Sequence, residues 1–244
     1  MAVVKISVVV PAFNEEKLIQ RSLQSIKAAS AGFHELGWEI ELIVCDNNSS
    51  DLTADLAKAE GAHVVSEPIN QIARARNAGA AAASGDWMVF VDADSYPSRE
   101  LFQDVAREIR GGCCLAGGCT VRVDENHFLA NLLTRGWNSL SRMVKWAAGS
   151  FIFCESTAFR AVGGFSNELF AGEEIELSRR LKRLARTRGM KMVILHRHPL
   201  LTSARKIHLY SKREHLSFLL RVFREPARTV KNRDACAPWY DGRR

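Results

Sequence analysis

Residues Ile6–Val10 read Ile-Ser-Val-Val-Val and stop at Pro11. A run this apolar and β-branched, with almost no polar alternation, belongs to a strand covered on both faces, as in a parallel sheet. Parallel strands need crossover helices, and the chain supplies them. Glu15–Ala29 spaces Ile19, Leu23 and Ile26 by four and three, a helix with Glu15 and Glu16 at the positive end of its dipole. Glu39–Cys45 is a second strand. Ser49 or Ser50 caps a helix running to about Glu60 and closed by Gly61. His63–Val65 is a short strand and Ala73–Ala83 an Ala-rich helix. Asp86–Val91 is a strand running into Asp92-Ala93-Asp94, and Ser98 caps a helix carrying Leu101, Val105 and Ile109.

This alternation predicts an α/β chain: a largely parallel sheet with helices on both faces and ligands at the carboxyl ends of the strands. Three polar loops fall there, at residues 11–15, 46–51 and 92–95. The second half is less regular. Cys114–Val123 is a candidate strand, Asn126–Ala148 one long helix or two short ones, and Phe151–Cys154 a short apolar segment. Glu174–Arg186 is a helix and Met190–Leu195 a strand. A loop from residue 199, a helix near 211–224 and a polar tail follow.

At 244 residues, 47% hydrophobic and 25% charged, the chain can bury a sizeable core in one domain with an extension. Lys and Arg exceed Asp and Glu by 34 to 27, which favours polyanionic ligands or surfaces. The basic residues show no motif interleaved with aromatics, so nucleic acid is not the expected partner. None of the six cysteines forms a C-x-x-C pair, which points to reduced, buried thiols in a cytoplasmic protein. The N-terminus reads as a strand, not a signal peptide, and no stretch reaches the roughly 18 apolar residues of a membrane span.

Asp92 and Asp94, one residue apart after a buried strand, suit a hard cation that shares its shell with phosphate oxygens. Alone, a D-x-D is an ordinary polar turn, but its context is specific. VVVPAFNEE, VCDNNSSDLTADLA, ARARNAGAAAASGD and VFVDADS stand in an order and spacing that resembles the donor half of family-2 glycosyltransferases. GGFSNELFAGEEIELSRRLKR resembles the acceptor half. The likeness covers roughly residues 5–195. It implies a GT-A fold, Rossmann-like, with a C-terminal acceptor region: a donor half over 1–112, an acceptor half over 113–210, and a terminal helix and tail over 211–244.

The resemblance also implies roles. The donor is a UDP- or GDP-sugar. Pro11, Ala12, Phe13 and Glu15 bracket its base and ribose, Asp46 accepts a hydrogen bond from the base, and Arg74, Arg76 and Asn77 line the nucleotide side. Asp92, with Ala93 beside it, meets the ribose or a metal-bound water. Asp94 ligates Mn²⁺ or Mg²⁺. Glu174 is the general base, with Glu173 in reserve; here Glu stands where the family usually has Asp, one methylene further out. Many relatives supply a late His to the metal. His196, His198 and His208 are the candidates, with His198 and His208 kept as metal ligands, although none falls at the expected place. From its own residues, the hydroxyls and two cations of Thr202–Lys206, with Arg205, are a candidate lid over the diphosphate or an ordinary basic surface loop. Phe128–Trp146 packs as core under the acceptor site or, with Arg135, Arg142 and Lys145, docks on anionic lipid; docking implies peripheral membrane contact at the inner face and a lipid-linked acceptor. The reaction implied is metal-dependent sugar transfer to an acceptor hydroxyl with inversion. The rivals are a sugar-nucleotide nucleotidyltransferase, which would open on a Gly-rich loop followed by Arg, and a non-catalytic nucleotide-binding scaffold.

Overall fold

The computed structural model describes residues 3–124, 128–205, 229–236 and 240. In chain order the first half is β1 (Lys5–Ala12), α1 (Ile19–Ala29), α2 (Ala31–His34), β2 (Glu39–Asp46), α3 (Thr53–Ala59), β3 (His63–Ser66), α4 (Ile72–Ala82), β4 (Trp87–Val91), β5 (Ser95–Tyr96) and α5 (Arg99–Arg110). The second half is β6 (Cys114–Val123), α6 (Phe128–Val144), β7 (Phe151–Glu155), α7 (Ser156–Ala161), α8 (Glu173–Thr187) and β8 (Lys191–Thr202), with a 3₁₀ turn at Asp234–Cys236. The expected helix near 211–224 lies outside the described residues.

All eight strands form one sheet in the order β3-β2-β1-β4-β7-β6-β8-β5. The β3-β2-β1-β4 part is parallel, as the first-half alternation predicts. The rest is mixed: β7 is antiparallel to both β4 and β6, β8 is parallel to β6, and β5 is antiparallel to β8. The sheet therefore runs without a break across residue 112. The departure from a largely parallel sheet follows from connectivity. The chain returns from α6 directly beside β4, so β7 enters in the opposite sense.

Strand pleating divides the core in two. Ile6, Val8 and Val10 of β1 meet Leu23 and Ile26 of α1, Phe33 of α2, and Leu101 and Phe102 of α5. Val9, on the opposite face, joins Ala73 and Ala80 of α4 and Leu177 and Leu181 of α8. The Ala-rich character of α4 has a steric cause: a Cβ at Gly79 would come within 2.5 Å of Val9 Cγ1, so only small residues let this helix lie against β1.

Several boundaries moved. Helix α1 begins at Ile19, so its first turn holds no acidic residue, and Glu15 and Glu16 serve the loop instead. Asp51, not Ser49 or Ser50, receives the N–H of Thr53 at the start of α3, at 3.0 Å. Strand β8 continues to Thr202 because Ser95 and Tyr96 pair with its last residues, which turns the start of the expected lid into sheet. Within the expected Asn126–Ala148, Phe128–Val144 forms a single helix, but its leucines are not core. Leu132, Leu133, Leu140 and Met143 face solvent, while Asn138 turns inward and binds both the N–H and C=O of Val121 at 3.0 and 2.9 Å.

Ser7 is the polar interruption in the otherwise apolar β1. It is fully buried and donates to Glu41 Oε1 of β2 at 2.5 Å. Burial works against the Glu41 charge. Hydrogen bonds from Ser7, from the backbone and side chain of Ser84, and from Lys5 outweigh it and hold the carboxyl down at about 2. A depressed carboxyl contributes stability above its unfolded value near 4.5 and loses it as pH falls toward 2. Unfolding midpoints in urea measured across that window should fall with pH in the native chain, and Glu41→Gln should flatten the slope.

Candidate functional site

The loops after β1, β2 and β4 converge because those three strands are adjacent and parallel. The first two loops are laced together by side chains. Asn14 accepts from the Ser50 amide at 2.8 Å, and Ser49 Oγ accepts from the Asn14 amide at 3.0 Å. Asn14 and Asn48 take left-handed backbone conformations, φ 51° and 64°, which Asn tolerates better than most residues. Asn47 is buried. It donates to the carbonyls of Glu67 and Ile69 and accepts from the Gln71 amide, fixing the approach to α4.

A cleft opens over these ends. Pro11, Ala12, Phe13 and Glu15 line it together with Asp92, Ala93 and Asp94; Asn47, Asn70, Ile72, Ala75 and Tyr240 complete it. The seven residues named first were all candidates from the sequence. The last five were not. Asn47 sat in a segment read as turn and cap. Tyr240 lies in the polar tail, where no pattern marks it. It reaches the cleft because its hydroxyl donates to the Phe170 carbonyl at 3.0 Å and its ring meets Phe170 edge-on.

Arg76 ties the two halves of the sheet together. Its side chain is 1% exposed. Nη1 donates to Glu173 Oε1 at 2.6 Å, and Nη2 to Asp92 Oδ1 at 2.9 Å and to the Gly149 carbonyl at 2.8 Å. Its guanidinium also lies 5.2 Å from the Phe165 ring centroid. Gly172, at φ 75°, makes the left-handed turn that starts α8 with Glu173 and Glu174 side by side. Glu173 turns inward onto Arg76. Glu174 is half-buried beside Gly149 and has no such partner: a Cβ on Gly149 would lie 3.5 Å from Glu174 Cγ. Withdrawal from water, then the charge of Glu173, with a smaller push from Asp92, raise the Glu174 carboxyl to about 8, against the pull of Arg76.

Arg205 reaches the opposite rim. The Ser203 amide binds the Asp94 carbonyl at 2.9 Å, and Arg205 Nη2 then meets both carboxylate oxygens of Glu15 at 2.8 and 2.7 Å. Its Nε and Nη1 are buried and make no hydrogen bond.

Other candidates lie elsewhere. Arg74 pairs with Glu67 at 3.3 Å, outside the cleft lining. Asn77 binds the backbone N–H and C=O of Phe165, a clamp on the turn before α8. Asp46 is also outside the lining, with its Oδ1 buried and unpartnered. His198 does not join the carboxylates; its Nδ1 lies 2.9 Å from Asp104 Oδ2 of α5, on the far part of β8. His208 lies outside the described residues. Among the described residues no three His, Cys, Asp or Glu side chains cluster as an all-protein metal cage. Asp92 and Asp94 share the wall of the cleft; Mg²⁺ and Mn²⁺ are commonly held by one or two carboxylates together with phosphate oxygens and water.

This architecture, a curled mixed sheet with a cleft over its parallel half and a D-x-D turn in its wall, defines a GT-A glycosyltransferase fold. The chain belongs to the family described as Glycosyl transferase family 2, whose profile matches residues 7–164. Two similar solved structures are the following. S. aureus TarS 1–349 in complex with UDP-GlcNAc has a TM-score of 0.65 and 19% identity, over 89% of this chain and 65% of that one. M. tuberculosis glucosyl-3-phosphoglycerate synthase with Mn²⁺, UDP and glucosyl-3-phosphoglycerate has a TM-score of 0.62 and 23% identity, over 89% and 76%. Among curated proteins, the undecaprenyl-phosphate 4-deoxy-4-formamido-L-arabinose transferase of Klebsiella pneumoniae is 34% identical over 115 residues, 44% of this chain and 34% of that protein. The uncharacterized glycosyltransferase EpsJ of Bacillus subtilis is 29% identical over 108 residues, 42% and 30%. The matches span about a third of the length of these curated relatives.

Removing one partner from a buried ion network leaves the others uncompensated, at a cost of about 3–5 kcal/mol. Arg76→Met should lose stability of that order in chemical denaturation at pH 7.

Proposed function

We propose that the chain transfers a sugar from a nucleoside-diphosphate sugar to an acceptor oxygen, with a divalent metal and with inversion. The observation that carries this reading is the pairing, through one buried arginine, of the cleft carboxylate Asp92 with the start of α8, where the unpaired Glu174 stands. The donor is a UDP- or GDP-sugar seated in the cleft, with residues 1–112 as its half of the domain and 113–210 as the acceptor half.

Each group then has work to do. The buried, unpartnered Asp46 Oδ1 awaits a donor such as a nucleobase N–H. Pro11, Phe13 and Glu15 bracket base and ribose. Arg205 offers Nε and Nη1 to phosphate oxygens while Glu15 holds its third nitrogen. Asp94 and Asp92 hold Mn²⁺ or Mg²⁺, which when bound neutralises charge on the departing diphosphate. Arg76 fixes Asp92 and Glu173. Glu174 takes the proton from the acceptor hydroxyl as its oxygen bonds the anomeric carbon; the carbon–oxygen bond to the diphosphate breaks on the opposite side, which inverts that carbon. A lipid-linked acceptor, and work at a membrane surface, extend the reading; the Klebsiella relative is named for transfer to undecaprenyl phosphate.

With carboxylates on one turn and no third ligand among the described residues, titration calorimetry should give little heat with Mn²⁺ alone and clear binding with Mn²⁺ plus UDP or GDP. Turnover of one donor from a UDP- and GDP-sugar panel should depend on Mn²⁺ or Mg²⁺, stop with chelator, and fall roughly 10²–10³-fold in Asp94→Ala. No response to any donor, with or without metal, would sink the reading.

The base acts as its carboxylate, so kcat/KM should rise with pH toward a limb near 8, the value to which the Glu174 carboxyl is raised. Glu174→Gln should lower the rate by about 10²–10⁴-fold and abolish that limb. A limb that persists in the variant would assign the base elsewhere.

A further inference from the structure

Helix α6 is inside out. Ser141 is fully buried and its hydroxyl binds the Trp146 carbonyl at 2.5 Å. Asn138 faces the sheet and satisfies both backbone groups of Val121, next to the irregularity in the β6–β8 register. Two polar residues are turned to the protein while four apolar ones are left outside. Leu132, Leu133, Leu140 and Met143 are 55%, 73%, 44% and 79% exposed. At about 100° per residue they span a single stripe roughly 100° wide. They are half of the large hydrophobic side chains exposed among the described residues; the others, Val3, Leu36, Leu52 and Ile69, are scattered in sequence.

The charge beside the stripe has one sign. Arg135 and Arg142, both exposed, stand seven residues apart along its edge. From His127 to Cys154 the sequence holds Arg135, Arg142 and Lys145 and no acidic residue. We propose that this face of α6 docks the protein on an anionic lipid bilayer, lying in the headgroup region with the leucines and Met143 inward and the arginines on phosphates. At 17 residues α6 lies on a bilayer, and no helix among the described residues is long and apolar enough to cross one. A second copy of the chain is a poorer occupant, because an identical face brings more arginines and no acidic side chain of this helix to pair with Arg135 and Arg142.

The helix also points to where an acceptor would arrive. Its exit is pinned to α8: Lys182 Nζ binds the Val144 carbonyl at 2.8 Å, and Ser178 Oγ accepts from the Ala147 amide at 3.1 Å. Two residues on, the Gly149 carbonyl binds Arg76 beside Glu174. A bilayer under α6 therefore sits on the acceptor side of the cleft. The acceptor is then membrane-borne; that clause rests on the sugar-transfer reading, whereas the docking face does not.

The test is sedimentation of the full chain with vesicles of phosphatidylcholine alone or mixed in equal parts with phosphatidylglycerol. The native chain should bind the anionic vesicles, and the neutral ones on the order of tenfold more weakly. Leu133→Gln with Met143→Gln should weaken both by a similar factor. Arg135→Gln with Arg142→Gln should remove the preference for phosphatidylglycerol and leave neutral binding as it was. Both sites are exposed, and circular dichroism should show native folding. A chain that stays in the supernatant, or leucine and arginine variants that partition like the native chain, overturns the proposal. So does a native dimer that Leu133→Gln with Met143→Gln turns into monomer without loss of vesicle binding. Thermal stabilisation by UDP or GDP with Mn²⁺, measured alongside, should be unchanged in both variants. Its absence from the native chain would defeat the sugar-transfer reading and leave the vesicle result standing.

Discussion

A buried guanidinium is the constraint on which the site depends. Arg76 lies on α4, a helix of the parallel half, yet its partners are Asp92 at the end of β4, Glu173 at the start of α8 and the carbonyl of Gly149 after α6. A charge taken out of water at this depth needs all of them, since each missing partner leaves a desolvation cost unmet. Small residues bring it there: Gly79 and the alanines of α4 allow the helix to press on β1. The same network makes Glu173 and Glu174 unequal. One is hydrogen-bonded to the arginine; the other feels it only at a distance, in a poorly hydrated corner, and its affinity for a proton rises.

The second half of the molecule is organised by how the sheet changes direction. Because β7 enters antiparallel beside β4, its first residue pairs with Val91, directly before the D-x-D turn, and the Asp92 amide bonds the Ser150 carbonyl at 3.2 Å. Because β5 pairs with the end of β8, residues 203–205 are stitched to the same turn, and Arg205 reaches Glu15 across 190 positions of sequence. The turn is thus held from both sides by segments that have no local relation to it. Helix α6 pays for its place in this arrangement by presenting its apolar stripe to solvent, which makes sense for a face that meets something other than the protein's own core.

Much of the cleft was legible in the chain. The Val-rich β1, the 4–3 spacing of Ile19, Leu23 and Ile26, and the polar loops at three strand ends set the parallel half and put Pro11–Glu15 and Asp92–Asp94 on one cleft, because periodicity and turn chemistry are local. The order of the motifs identified the family. Errors fell where local signal is silent or misleading. Acidic residues at 15 and 16 looked like a helix start, but a half-buried arginine 190 residues away and a laced loop claimed them. Leucines at helical spacing in 132–143 looked like core, but which face of a helix is buried depends on the neighbour it meets, and here the neighbour needed an asparagine.

The sequence by itself determined the α/β alternation, the strand-end loops and the kinds of side chain they carry, since these follow from backbone propensity and from which residues tolerate water. Tertiary structure alone decided which carboxylate is paired and which is not, that Asp46 and Arg205 keep buried atoms unpartnered, that His198 belongs to Asp104, that Tyr240 closes the cleft, and that α6 turns its leucines outward. Each of those depends on groups far apart in sequence being brought to one place, where burial and charge, which no local pattern encodes, set the outcome.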